Sequence, residues 1–396
     1  MLNKNFRAPM RTGLTTVILL ASLVLAACAS NGTPDAQGAV VNTSSTASTT
    51  TTTHAAQSNV ALTAIRMLDR TRGWALTEHA VLKTTDGGQH WHDVSPAKNA
   101  LTPASAADFM DASYAWIAVS AFEAQHGIIK LLYTTDGAAH WQSSTINDPQ
   151  ATGTDRPHFI NRYEGWLEVG TGAAMSHESV DIFHTIDGGR TWHKLSSTDI
   201  INARPQHGAL SFEGDKTGIS FKSAHTGWAT AATPATDAPW LYVTHDGGKT
   251  WSPQALPLLK GVSNANYVTT PPVFFGNDGL LPVQIGTATI RGIDLYVTHN
   301  GGLSWQPTTL TRFSSNDTYV LDMHHIWATD EKNFYASSDG GYSWSRLAAS
   351  SQSIVALSFV DATTGWAIGS TDSKPPVLLH TADGGRSWHQ INYSIQ

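Results

Sequence analysis

Phe359-Val360-Asp361-Ala362-Thr363-Thr364-Gly365-Trp366-Ala367, followed by Leu378-Leu379-His380-Thr381-Ala382-Asp383-Gly384-Gly385-Arg386-Ser387-Trp388, is the stretch from which the fold can be read. Its second half, Thr/Ser-x-Asp-Gly-Gly-x-x-Trp, recurs seven times in the 396 residues: Thr84 to Trp91, Thr134 to Trp141, Thr185 to Trp192, Thr244 to Trp251, Thr298 to Trp305, Ser337 to Trp344 and Thr381 to Trp388. The acid position is held by Asp86, Asp136, Asp187, Asp246, Asn300, Asp339 and Asp383, and the box tryptophans lie 39 to 59 residues apart. A second tryptophan precedes six of the boxes: Trp74, Trp116, Trp166, Trp228, Trp327 and Trp366. In the fifth unit Leu280 or Leu281 takes that place, and counting back seven from Leu281 reaches Phe274. Thirteen of the 14 tryptophans are thereby repeat positions, and only Trp240 is left over.

Seven residues before each second tryptophan sits an apolar anchor, Met67, Phe109, Phe159, Phe221, Val320 or Phe359. An acid or amide follows most of them two positions later, as in Asp69, Asp111, Asn161, Asp322 and Asp361. A short apolar run, a turn, Gly-Trp-Ala, a second run such as Val81-Leu82-Lys83-Thr84, the Asp-Gly-Gly turn and a Trp-led run read as four short antiparallel strands. In the turn, Asp accepts from amides two or three residues on and Gly supplies positive φ. The box tryptophan is expected to fold back over the hairpin base. Asn300 still accepts that bond and Ala138 replaces the second glycine, which suits a structural role for the box. Residues 60–396 divide into about 48 per unit, the size of a four-stranded blade. The expected fold is all-β: a seven-bladed β-propeller of four-stranded antiparallel blades, with closure of the ring left open because the first and last units both look complete.

Lys4, Arg7 and Arg11 precede an apolar run from Leu14 that ends in Leu25-Ala26-Ala27-Cys28. A basic start, about 14 apolar residues and small residues before a cleavage point make a secretory signal over 1–27, since a membrane span needs roughly 20. Leu-Ala-Ala-Cys resembles the lipobox of bacterial lipoproteins. That resemblance implies lipidation of Cys28, the one cysteine of the chain, so no intrachain disulfide forms. Residues 28–59, rich in Ser and Thr with Thr49 to Thr53 unbroken, read as a flexible tether. The expected location is extracytoplasmic, held to the cell membrane by lipid alone. Cleavage removes three basic residues and takes the formal net charge from -7 to -10, which excludes adhesion to anionic lipid and argues against nucleic-acid binding. A monomer without cofactor is expected.

The repeat resembles the Asp-box, or BNR repeat, of sialidases, other glycosidases and sortilin-type receptors. With its Phe-x-Asp-x-x-x-Gly-Trp-Ala lead, the whole unit resembles the photosystem II stability and assembly factor family, whose members act as chaperone-like scaffolds. The resemblance spans the chain beyond the tether and implies a non-catalytic platform for protein binding or assembly. Resemblance to sialidases would instead imply an Arg-Ile-Pro segment before the first box, where this chain has Ile65-Arg66-Met67. Other Asp-box glycoside hydrolases need two facing carboxylates, which sequence does not place. A cell-wall glycan-binding protein is the third reading.

Eighteen histidines invite a metal. His90, His140, His184, His245, His299 and His380 occupy repeat positions distributed around a ring, where they do not converge on one ion, and no metal is expected. One carboxylate per turn also falls short of calcium's six to eight oxygens. The Arg66, Arg70 and Arg72 cluster reads as a solvated edge. Loops that break the repeat are the expected contact sites. The longest inter-unit segment holds Arg204 and His207, Trp240 follows the loop from Thr230 to Pro239, and Tyr267 lies in the other long junction. These four residues are the candidate contact with an envelope protein or glycan, and the alternative is ordinary loop variation with Trp240 packed in the core.

Overall fold

A computed structural model describes residues 60–120, 127–198, 208–315, 317–330, 333–350, 352–371 and 374–396. Cys28, the signal and the tether, together with Arg204 and His207, lie outside the described residues.

Each box closes a hairpin by the same bonds. In the first unit the Thr84 hydroxyl donates to Asp86 Oδ1 at 2.9 Å and accepts from the Gly88 amide at 3.0 Å. Asp86 Oδ1 also accepts the amides of Gln89 and His90, at 3.1 and 3.0 Å. The amides therefore lie three and four residues on, not two or three, because both glycines take the left-handed conformation, φ 78° for Gly87 and 92° for Gly88. Ala138 adopts the same backbone at φ 72°. Asn300 keeps the pattern, accepting from the Thr298 hydroxyl and the Ser304 amide. The earlier acid builds a matching turn between the first and second strands, as where Asp111 Oδ1 accepts the amides of Ser113 and Tyr114. The two turns are hooked together in every unit: the first box glycine donates to a turn carbonyl, as in Gly87 to Thr71, Gly188 to Tyr163 and Gly384 to Thr363.

Among the described residues the strands form six sheets. The first unit pairs Ala64–Met67, Gly73–Leu76, Val81–Thr84 and His90–Asp93 in order. A sheet of nine strands carries both the fourth and fifth units, because Gly227–Thr236 extends past its hairpin to pair with Ala265–Thr269. In the fifth unit Phe274 pairs with Gly279, as Phe159 does with Gly165. The first turn there is one residue shorter, so Leu280 rather than Leu281 stands in the tryptophan position.

The second tryptophans form the junctions between units. Trp116 stacks on Phe159 at 3.8 Å, Trp166 on Phe221 at 3.8 Å and Trp327 on Phe359 at 3.7 Å. Their indole N–H groups donate to box carbonyls of the next unit, Gly188, Gly247 and Gly384. Burying an aromatic of this size removes about 150–250 Å² from water, so the junctions carry much of the stability. At five junctions the residue before the anchor adds an inner latch. Asp108 accepts from the Phe159 amide, and His158 bonds the Phe221 carbonyl. The Ser220 hydroxyl reaches Pro272 and that of Tyr319 reaches Phe359.

The ring closes by the same means. Trp366 of the last unit packs in one cluster with Met67 and donates to the Gly87 carbonyl at 2.9 Å. In addition, Ser394–Ile395 adds to the outer strand His90–Asp93 as a parallel strand, and the Tyr393 hydroxyl donates to the Val60 carbonyl.

Candidate functional site

Two of the expected contact residues are buried. Trp240 is 8% exposed and Tyr267 2%. Trp240 immediately precedes the third strand of unit four, Leu241–Thr244, with its ring centroid 4.4 Å from that of Tyr242 and the Lys216 ammonium 4.8 Å from the ring. Tyr267 pairs with Thr233 and Ile285 in the strand that joins units four and five. The long junction is therefore spent on an extra strand rather than on an open loop, and neither side chain offers a free surface.

Four of the ten exposed large apolar side chains among the described residues share one end of the ring. Among the described residues, Tyr163, Ile186, Leu303 and Tyr342 are 51%, 69%, 73% and 54% exposed. All four sit in the box turns or in the turns hooked to them, at one end of the ring. Unit three contributes two of them. Its Gly188 amide donates to the Tyr163 carbonyl at 2.7 Å, which sets the loops of Tyr163 and Ile186 side by side. The Arg162 guanidinium lies 4.7 Å from the Tyr163 ring. Arg190 donates to the Asp187 carbonyl. This sector therefore presents apolar surface between two cations.

The carboxylates at this end are held by turn bonds. Asp86 Oδ2 meets His90 Nδ1 at 2.6 Å, and Asp136 meets His140 alike. At the same position Thr191, Thr250, Ser343 and Ser387 donate hydroxyls to their box acids. His90 and His140 are thus turn partners rather than scattered surface groups. Burial pushes Asp86 up, but the His90 amide and imidazole and the Thr84 hydroxyl outweigh it and bring its pKa to about 2. Asp136, held first by the His140 amide and then its imidazole, also falls to about 2. Asp383 falls to about 2 through the hydroxyl and amide of Ser387. Arg70 is paired to Asp361 at 3.0 Å across the closing junction. Sequence reading missed Tyr163 and Ile186 because they occupy variable positions of otherwise regular turns.

Two buried carboxylates share one cation. Asp148, after the outer strand of unit two, and Asp181, in unit three, share Lys194, whose ammonium lies 3.2 and 2.5 Å away. Burial drives Asp181 upward. It also opposes ionisation of Asp148, which a hydrogen bond from Asp181 nonetheless keeps below its ordinary value. Carboxyls in hydrogen-bond contact are closer than the 5 Å or more that glycoside hydrolysis needs. Among the described residues, no three His, Cys, Asp or Glu side chains gather as metal ligands.

The relatives follow this architecture. Residues 303–396 match the family described as photosynthesis system II assembly factor YCF48, and residues 242–253 match the BNR/Asp-box repeat. A YCF48 structure with bound D1 peptide is 16% identical, with a TM-score of 0.53, over 82% of this chain and 94% of that one. YCF48 from Cyanidioschyzon merolae is 17% identical over the same shares, with a TM-score of 0.52. A GH74 xyloglucanase from Xanthomonas campestris is 14% identical with a TM-score of 0.55, over 84% of this chain but 55% of its own. No curated protein matches the chain in sequence. At such identities the structural likeness shows the fold alone. Residues 303–396 thus resemble the photosystem II assembly factor YCF48 family, and the fold that they complete is a β-propeller with BNR/Asp-box repeats.

Proposed function

We propose that the chain is a non-catalytic, protein-binding propeller, displayed outside the cytoplasm on lipid attached to Cys28, which takes its partner on the box end of the ring. The observation that carries this reading is the sector of Tyr163, Ile186, Arg162 and Arg190, where large apolar groups are exposed beside cations. Exposed aromatic and arginine side chains are what protein interfaces use as anchors. The acids nearby are engaged in turns, which leaves them poorly placed for acid–base chemistry. The D1 peptide on a YCF48 of like fold supports a peptide or protein as the ligand class.

The test is site-specific photo-crosslinking in intact cells, with the probe at Tyr163 or Ile186 and a control at Met175, an exposed hairpin tip of the same unit. The reading expects one protein adduct from the box end and none from Met175. Adducts from Met175 alone would place the contact elsewhere.

A further inference from the structure

A second surface on the molecule has a different chemistry. A groove of about 280 Å³ lies between the connector leaving unit five and the outer half of unit six. Phe313 of the connector stacks on Tyr335, with centroids 3.7 Å apart and planes 3° from parallel, and Trp344 meets Phe313 edge-on. Tyr342 stands exposed beside them. The charged residues of the lining are Arg312 and Arg346, and the lining contains no carboxylate. Among the described residues Arg312 enters no ion pair, and Arg346 donates only its Nε, to Asn333. Two guanidinium groups without an ion pair, in a groove whose lining holds no carboxylate, complement an anion although the chain's formal net charge is -7.

We infer that this groove binds an acidic saccharide of the uronic acid class. A sugar ring lays its C–H face on an aromatic ring, and its carboxylate suits the planar fork of arginine. Tyr335 gives its hydroxyl to Asp330 and Ser343 gives its own to Asp339, so the two guanidinium groups are the charged donors left to a ligand, and they favour one that brings a carboxylate. This site does not depend on the protein contact at unit three.

The test is isothermal titration of the purified full chain with oligogalacturonate, its methyl ester and poly-glutamate. Oligogalacturonate is expected to bind, with at least tenfold weaker binding of the ester and of poly-glutamate. Tyr342→Ala and the double change Arg312→Ala with Arg346→Ala are expected to weaken binding at least tenfold. Both alter exposed side chains, so the melting temperature is expected to hold. Equal binding of the ester, full affinity in Tyr342→Ala, preference for poly-glutamate, or no binding of oligogalacturonate would each overturn the assignment.

Discussion

The Ser358 hydroxyl accepts the Met67 amide at 2.8 Å, joining residues 291 positions apart. It is the closing member of the inner latches, in which the residue before one anchor bonds the anchor backbone of the following unit. Together with Trp366 on Gly87, it lets the last unit meet the first without exchanging a strand of the four-stranded core.

Trp366→Ala is expected to cost about 3–5 kcal/mol, the range for removing a buried aromatic. Trp116→Ala at an internal junction should cost a similar amount. Urea unfolding of both variants checks this. A loss below about 1 kcal/mol for Trp366 alone would mean that the closing junction carries little load.

Ala138 holds a backbone conformation, φ 72°, that an L-residue occupies at a cost of about 1–2 kcal/mol. Ala138→Gly relieves that cost but adds about 0.4–1 kcal/mol of unfolded-chain entropy. A net gain between about 0 and 1.6 kcal/mol is expected in thermal unfolding, and destabilisation would contradict the strain.

Trp240→Ala should lower stability by about 3–5 kcal/mol, because the indole fills the cluster of Val180, Ile182, Tyr242 and Trp251. Trp240→Phe should be milder. Differential scanning calorimetry decides the matter, and an unchanged transition would return Trp240 to the surface.

The acid limb of stability follows from the box carboxylates. Asp86, Asp136 and Asp383 titrate near 2 in the fold and near 4 when unfolded. Folded values below unfolded ones mean that their contribution is complete above about pH 4 and fades as pH falls towards 2. Unfolding followed between pH 5 and 2 should steepen across that window. Replacing all three acids by Asn, which Asn300 shows the turn accepts, should flatten the slope.

Removing Ser394 to Gln396 deletes the parallel pairing with His90 and Trp91 and the bond from the Asp93 amide to Gln396. At about 0.5–1.5 kcal/mol net for each hydrogen bond, a loss of a few kcal/mol is expected with the ring still formed. Hydrogen exchange should rise at the Asp93 amide. Unchanged protection would show the tail to be dispensable.

The repeat was legible because each of its residues meets a local demand: a glycine for φ, an acid for two amides, an aromatic for a flat junction. The same logic placed the strands and the box turns correctly. Register in unit five was harder, since Leu280 and Leu281 are equally apolar and only the pairing of Phe274 with Gly279 separates them. Trp240 is open to two readings in sequence, contact or core, because breaking the repeat marks an irregular position without saying which way it faces. Tyr163, Ile186 and Tyr342 escaped notice for the opposite reason, as variable positions of regular turns leave no periodic trace. The groove at Phe313 depends on a connector crossing a neighbouring unit, a contact with no counterpart in sequence spacing.

The bond from Tyr393 to Val60 gives the molecule a mechanical polarity. A pull applied through the residues before Val60 reaches the ring at unit one, where the C-terminal strand lies along the same edge. Load entering there passes through Leu62 into the strand Ala64–Met67, which packs in one cluster with Trp366 at the closing junction. The first event under tension should then be loss of the Tyr393 bond and opening of that junction, with both candidate surfaces intact.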